Sequence, residues 1–253
     1  MKVTFLGTGT SQGVPVIGCE CDVCVSVDFQ DNRLRSSIHI EVDDLSIVID
    51  TGPDFRQQML RNRVKKLDAV LFTHAHKDHT AGMDDIRSFN FLQKMDMPIY
   101  AQQAVIDQLK CEFAYVFAES KYPGVPQVIV HPITKDSFKI GTTNIQPIEV
   151  MHHKLPVFGF RIKDFTYITD ANHISDKEKE KIRGSKVLVL NALQKKPHIS
   201  HFTLQQALDL VEELQPEKAY LTHISHKLGL HRDVKKELPD HVELAWDGLV
   251  LDI

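Results

Sequence analysis

Seven residues, Thr73-His74-Ala75-His76-Lys77-Asp78-His79, constrain this chain more than any other stretch. They follow the apolar run Ala69-Val70-Leu71-Phe72, which reads as a buried strand because it is short, unbroken and bounded by polar residues. Three imidazoles and a carboxylate therefore leave one strand end together. His74 and His76 can converge on one point, and Asp78 and His79 are carried on to a neighbouring one. Neutral imidazole and carboxylate are the usual ligands of Zn²⁺ and similar divalent ions, so the stretch reads as metal-binding.

Composition narrows the setting. Over 253 residues, 42% are apolar and 25% charged, the balance of a soluble globular protein able to bury a substantial core. The formal charge of −4 gives no general pull towards nucleic acid. No run approaches membrane-spanning length, and the start, Met1-Lys2-Val3-Thr4-Phe5-Leu6-Gly7, alternates like a strand rather than reading as a signal peptide. A cytoplasmic protein is expected. No linker, repeat or low-complexity tract divides the chain, so 1–253 is expected to form a single domain.

Three of the four cysteines stand in Gly18-Cys19-Glu20-Cys21-Asp22-Val23-Cys24. This spacing suits one metal held from a tight loop, with a fourth ligand from elsewhere, better than a disulfide framework. Cys111, in an apolar helical stretch, is expected to be a buried small hydrophobe. The glycine-rich Gly7-Thr8-Gly9-Thr10-Ser11-Gln12-Gly13 lacks the spacing and following helix of a dinucleotide loop, and reads as a tight turn or close backbone approach, including to a bound anion.

Ser37 to Val42 and Leu45 to Asp50 predict a hairpin turning at Asp43-Asp44, with His39 facing outward. Helices are predicted over 81–93, 104–118, 203–214 and 231–237, with a short one from Asp176. Strands are predicted at 98–100, 128–130, 138–140, 145–150, 158–162, 165–169, 187–190, 219–222 and 242–246. Three of these deliver His152, Asp170 and His223 where the apolar run stops, repeating the arrangement at His74. Ligands at the ends of four separate strands point to one shared cleft. Asp50, at the end of its own strand, reads as a residue that orients a ligating histidine.

With these residues in place, the chain resembles the metallo-β-lactamase superfamily, whose signature H-x-H-x-D-H stands here as His74 to His79. The resemblance spans essentially the whole chain and implies an α/β fold, an αββα sandwich of two central mixed sheets flanked by helices. It implies that His74, His76 and His152 hold one metal, that Asp78, His79 and His223 hold another, and that Asp170 bridges them. His152 is selected over the adjacent His153 by alignment of His-x-Lys-Leu. A narrower resemblance, carried by Gly13-Val14-Pro15, the cysteine cluster and Leu221-Thr222-His223-Ile224-Ser225-His226, is to the phosphoribosyl cyclic phosphodiesterases of phosphonate breakdown. It implies a structural zinc on Cys19, Cys21, Cys24 and His226, and an active-site histidine at His201. Asn172-His173 after Asp170 departs from that pattern.

The expected activity is that of a metal-dependent phosphoric diester hydrolase, with two divalent ions (Zn or Mn) sharing a hydroxide that attacks a small cyclic phosphodiester. Asp78 and His201 are the candidate catalytic residues, His201 as general acid or as a donor to the phosphate. The expected partner is a small phosphodiester, with no membrane and no nucleic acid; a homodimer is possible. The alternatives are a thioester or other small-ester hydrolase, a tRNA 3′-processing nuclease, for which there is no basic arm, and a non-catalytic module, which the full ligand set opposes.

Overall fold

The computed structural model describes residues 1–120 and 122–253. Among the described residues, fourteen strands form two seven-stranded sheets. In chain order they are β1 Lys2–Gly7, β2 Ser37–Val42, β3 Leu45–Ile49, β4 Ala69–Leu71, β5 Met97–Ala101, β6 Val128–Pro132 and β7 Phe138–Ile140. The second half supplies β8 Thr143–His152, β9 Leu155–Ile162, β10 Phe165–Tyr167, β11 Val187–Asn191, β12 Lys218–Thr222, β13 Val242–Leu244 and β14 Val250–Asp252. The first sheet runs β14-β1-β2-β3-β4-β5-β6 and the second β13-β12-β11-β10-β9-β8-β7. In each, an antiparallel half adjoins a parallel half, with β3 to β6 parallel in one and β10 to β13 in the other.

Strand alternation builds the layers. Ile47 and Ile49 of β3 and Ala69 and Leu71 of β4 face Phe160, Phe165 and Tyr167 of the other sheet in a central core. Val48 and Val70 point the opposite way, into a core with Phe55, Met83, Phe89 and Leu109 from the covering helices. The second sheet repeats this: Val187 and Val189 of β11 turn to the centre, and Leu188 and Leu190 turn out beneath the helix Leu204–Leu214. Strands buried on both faces need apolar residues at every position, hence the unbroken apolar runs. The fold is the expected αββα sandwich.

The hairpin forms as expected, with Asp43 and Asp44 both at positive φ (48° and 64°), as a two-residue turn between twisted strands requires. The helix Leu204–Leu214 starts at a Thr203/Gln206 capping box and buries Leu204, Ala207, Leu210, Val211 and Leu214, a helical stripe.

Other expectations fail for visible reasons. The predicted helix 81–93 is instead a 3-10 turn Met83–Ile86 followed by a short helix Arg87–Gln93, with a separate helical turn Lys77–Thr80 before it. Gly82 donates to the Thr51 carbonyl (2.8 Å) and lies so close to Gly52 that a Cβ would meet its carbonyl oxygen at 2.1 Å, pinning the segment out of helical register. The helix predicted over 104–118 divides at Phe113, where φ −115° and ψ 44° leave helical geometry. Cys111 is exposed, on the opposite side from the buried Val105, Ile106 and Leu109. His39 does turn away from Ile38 and Ile40, but it is buried and its Nε2 lies 2.7 Å from Ser46 Oγ. The helix Phe55–Arg61 and strand β14 were not predicted. β14 pairs with β1, and the Met1 amine donates to the Ile253 carbonyl, bringing the two ends together.

Candidate metal centre

The ligating candidates collect where strands of both sheets stop, β4 before His74, β8 at His152, β10 before Asp170 and β12 before His223. Two groups result. In one, the donor atoms of His74, His76, His152 and Asp170 lie within 4.8 Å of one another; in the other, those of Asp78, His79, Asp170 and His223 do. Asp170 belongs to both. Its Oδ2 is 3.6 Å from His74 Nε2 and 3.4 Å from His79 Nε2, and its Oδ1 is 3.0 Å from His223 Nδ1.

Three of the strand-end residues, Asp50, Asp170 and His223, have φ between 54° and 65°. Left-handed backbone at a non-glycine residue costs about 1–2 kcal/mol. Here it turns each chain sharply as its strand ends and aims the side chain into the cleft, a concentration of strain typical of functional sites.

Hydrogen bonds fix which imidazole nitrogen is free. The Asp50 carboxylate accepts from Thr73 N (2.8 Å), Thr73 Oγ1 (2.8 Å) and His79 Nδ1 (2.7 Å). Thr73 Oγ1, having given its proton to Asp50, accepts from His74 Nδ1 (2.9 Å). His152 Nδ1 donates to the Ser200 carbonyl (2.9 Å). Each of the three rings is thus left with Nε2 as its lone-pair nitrogen. His74 Nε2 and His79 Nε2 are buried without a hydrogen-bond partner. Orphaned buried nitrogens facing a shared carboxylate are costly unless something binds them, so the donor set fits divalent metal ions.

The charge balance agrees. Burial pushes His74, His76 and His223 down, which keeps them in the neutral, ligating form. His79 is the exception: against its burial, Asp170, Asp78 and Asp50 hold that ring well above its usual value, so these three carboxylates favour positive charge at its Nε2, which a proton supplies here and a metal ion would supply in its place. Asp170 is held well below the carboxylate range against its burial by His223 and His79.

Asp78 lies 3.2 Å from His79 Nε2. His153 is exposed and turns away, its backbone N–H bound to Asn172 Oδ1 (2.9 Å), so His152 is the one aimed at the cluster. Asn172 also donates to the Ile199 carbonyl (2.9 Å), tying the β8 end to the loop that carries His201. His201 is buried, with its ring centroid 4.7 Å from both His152 and His223. Burial pushes it down to about 3, which favours the neutral ring.

The cysteine cluster forms separately. Cys19, Cys21 and Cys24 sulfurs lie 3.3, 3.3 and 3.4 Å from His226 Nδ1. The Cys24 backbone N–H, with His226, lowers Cys21 to about 6, and burial raises Cys24 to about 11. His223 and His226 come off one turn and serve different groups.

Residues that sequence reasoning did not single out are the supports: Thr73, Ser200, and Ser36, whose hydroxyl donates to the Gly9 carbonyl and lies 3.2 Å from His223 Nδ1. The position of Thr73, directly before the first histidine, was the one available signal.

A two-sheet sandwich with paired His/Asp groups along its strand ends defines a hydrolase architecture built for divalent metals. The chain belongs to the β-lactamase superfamily: the family model described as "Beta-lactamase superfamily domain" matches residues 46–224. A solved structure described as a new diphosphatase from the PhnP family is 38% identical, with a TM-score of 0.93 over 100% of this chain and 97% of that one. A protein of Porphyromonas gingivalis named octanoyltransferase is 38% identical over 252 residues, 98% of this chain and 51% of its own length. A ribonuclease Z of an Exiguobacterium species is 26% identical over 64% of this chain and 48% of its own. The chain spans about half the length of these two curated relatives. No helix among the described residues is long and apolar enough to cross a membrane.

Proposed function

We propose that this protein hydrolyses small phosphodiesters, of the phosphoribosyl 1,2-cyclic phosphate type, with two divalent ions, zinc or manganese, in the cleft. The observation that carries the reading is Asp170 shared between two ligand groups, with the His201 ring stacked on His223 and tilted against His152. Likeness to a PhnP-family diphosphatase over the whole chain supports chemistry at phosphorus. The octanoyltransferase name belongs to a protein about twice as long, of which this chain matches 51%.

His74, His76, His152 and Asp170 would hold one ion and Asp78, His79, Asp170 and His223 the other. When bound, such ions lower the pKa of water and offset charge that develops on a phosphoryl oxygen. The protein's own part is orientation. Asp50 sets His79 directly and His74 through Thr73, and Ser200 sets His152. His201 donates a hydrogen bond to a phosphoryl oxygen from its buried wall. We infer further that Cys19, Cys21, Cys24 and His226 hold a third, structural zinc.

The reading is tested by assaying purified protein against cyclic and linear small phosphodiesters, thioesters, β-lactams and a tRNA precursor. Phosphodiesters, cyclic ones best, should turn over fastest. Efficient thioester cleavage without phosphodiesterase activity would reject it.

A further inference from the structure

Three of the strand-end ligands directly follow a threonine: Thr73 precedes His74, Thr169 precedes Asp170 and Thr222 precedes His223. All three threonines are fully buried. Thr73 relays Asp50 to His74. The other two hydroxyls differ sharply. Thr169 Oγ1 donates to Asp170 Oδ1 at 2.6 Å, whereas Thr222 Oγ1 has no hydrogen-bond partner among the described residues. A hydroxyl bonded to a carboxylate at that length makes one of the stronger hydrogen bonds open to it.

Asp170 depends on such a bond more than the histidines do. The backbone beside it is already clamped, because Asn191 at the end of β11 accepts from Ala171 N (2.8 Å) and donates to the Ala171 carbonyl (2.9 Å). The carboxylate itself is freer, since its last torsion is broad rather than staggered. An imidazole bonded at Nδ1 can present only Nε2 as its lone pair, but a carboxylate can present either oxygen. Here the choice matters. Oδ2 lies between the two ligand groups, 3.6 Å from His74 Nε2 and 3.4 Å from His79 Nε2. Oδ1 is turned to Thr169 and to His223, whose Nδ1 is 3.0 Å away. Rotation of the carboxyl group would carry Oδ2 out of the gap between the groups.

We propose that Thr169 is a positioning residue of the metal cleft: by holding Asp170 Oδ1 it commits Oδ2 to the place shared by both ligand groups. It acts through Asp170. The inference rests on the two-ion reading of the cleft and adds the side chain that decides which oxygen is shared.

The test titrates the full chain, stripped of cleft metals, with Mn²⁺ and follows binding by electron paramagnetic resonance. Two Mn²⁺ ions joined through one oxygen give an exchange-coupled spectrum that separate ions do not. The wild type should reach that spectrum. Thr169→Val removes the donor and should weaken binding of the second ion by about 10–100-fold, with the coupled signal lost or altered. Thr169→Ala, which adds no bulk, should do the same, and Thr169→Ser should restore both affinity and signal. Thr222→Val, at an equally buried threonine whose hydroxyl bonds nothing, should match the wild type in both. The kcat on a cyclic phosphodiester should follow second-ion occupancy across the series. Wild-type affinity and spectrum in Thr169→Val or Thr169→Ala would overturn the role. Equal losses in Thr169→Val and Thr222→Val would also overturn it, because they would assign the effect to packing. A wild type that never shows a coupled pair would instead reject the two-ion reading itself.

Discussion

The cysteine cluster gives a prediction whose size follows from the chain. His226 sits 202 to 207 residues beyond the three thiols it faces, so a metal there closes almost the whole chain into a loop. By loop-closure entropy a cross-link of that span stabilises by about 5 kcal/mol at most. Part of the tie exists without it, because Val14 and Arg33 exchange backbone hydrogen bonds at 2.8 Å and Gly9 bridges Ile224. His226→Ala should therefore cost about 2–5 kcal/mol. A chain of this size loses about 2–4 °C per kcal/mol, so Tm should fall by about 4–20 °C. The loop carrying Ile17 and Val27, both fully exposed, should become the first site of proteolytic nicking. Metal analysis should show one zinc fewer, with the cleft metals retained. A variant that keeps that zinc, with Tm unchanged within about 2 °C, would refute a structural metal at this site.

Asp50→Asn places an amide among three donors; metal affinity or activity should drop about 10–100-fold with about 1–3 kcal/mol of lost stability, and unaltered metal binding would dismiss the orienting role. His201→Ala should cost about 10–100-fold on both an alkyl phosphodiester and bis-(nitrophenyl) phosphate, because a neutral donor acts on the phosphate; a loss confined to the alkyl leaving group would mean proton delivery instead. Burial and then the Arg33 charge lower His231 from 6.5 to about 4, and Arg33 donates to its Nδ1. The folded-state value is depressed, so this contribution is whole above pH 6.5 and is lost as pH falls to about 4, about 3 kcal/mol in all. Denaturant melts of His231→Asn over that range should show a shallower pH slope than wild type; identical slopes would contradict it.

Much of the site was legible because its signal is chemical. His74 to His79 could be read directly, and His152, Asp170 and His223 followed from where apolar runs end. Long-range contacts were less legible. Thr73 relays Asp50 to His74 only because β3 and β4 run side by side, and Ser36 reaches His223 across 187 residues. The left-handed turns at Asp50, Asp170 and His223 leave no mark in composition, since Asp and His are tolerated there without being required. The helix predicted over 81–93 shows the same limit in the fold, because a contact between Gly82 and Gly52 overrides local periodicity. His39 was misplaced because alternation fixes a side chain's direction but not what covers it, and Cys111 because an apolar neighbourhood was read in place of its helical phase, which sets it opposite Val105, Ile106 and Leu109.

The most direct test is phosphodiesterase activity measured against cleft metal content. Metal-stripped protein, with the cysteine-bound zinc counted separately, is titrated with zinc or manganese and assayed on a cyclic phosphodiester. The expected result is little activity at one ion per cleft and a plateau at two, with Asp170→Asn unable to reach it. Full activity with a single metal per chain would contradict the shared two-ion site.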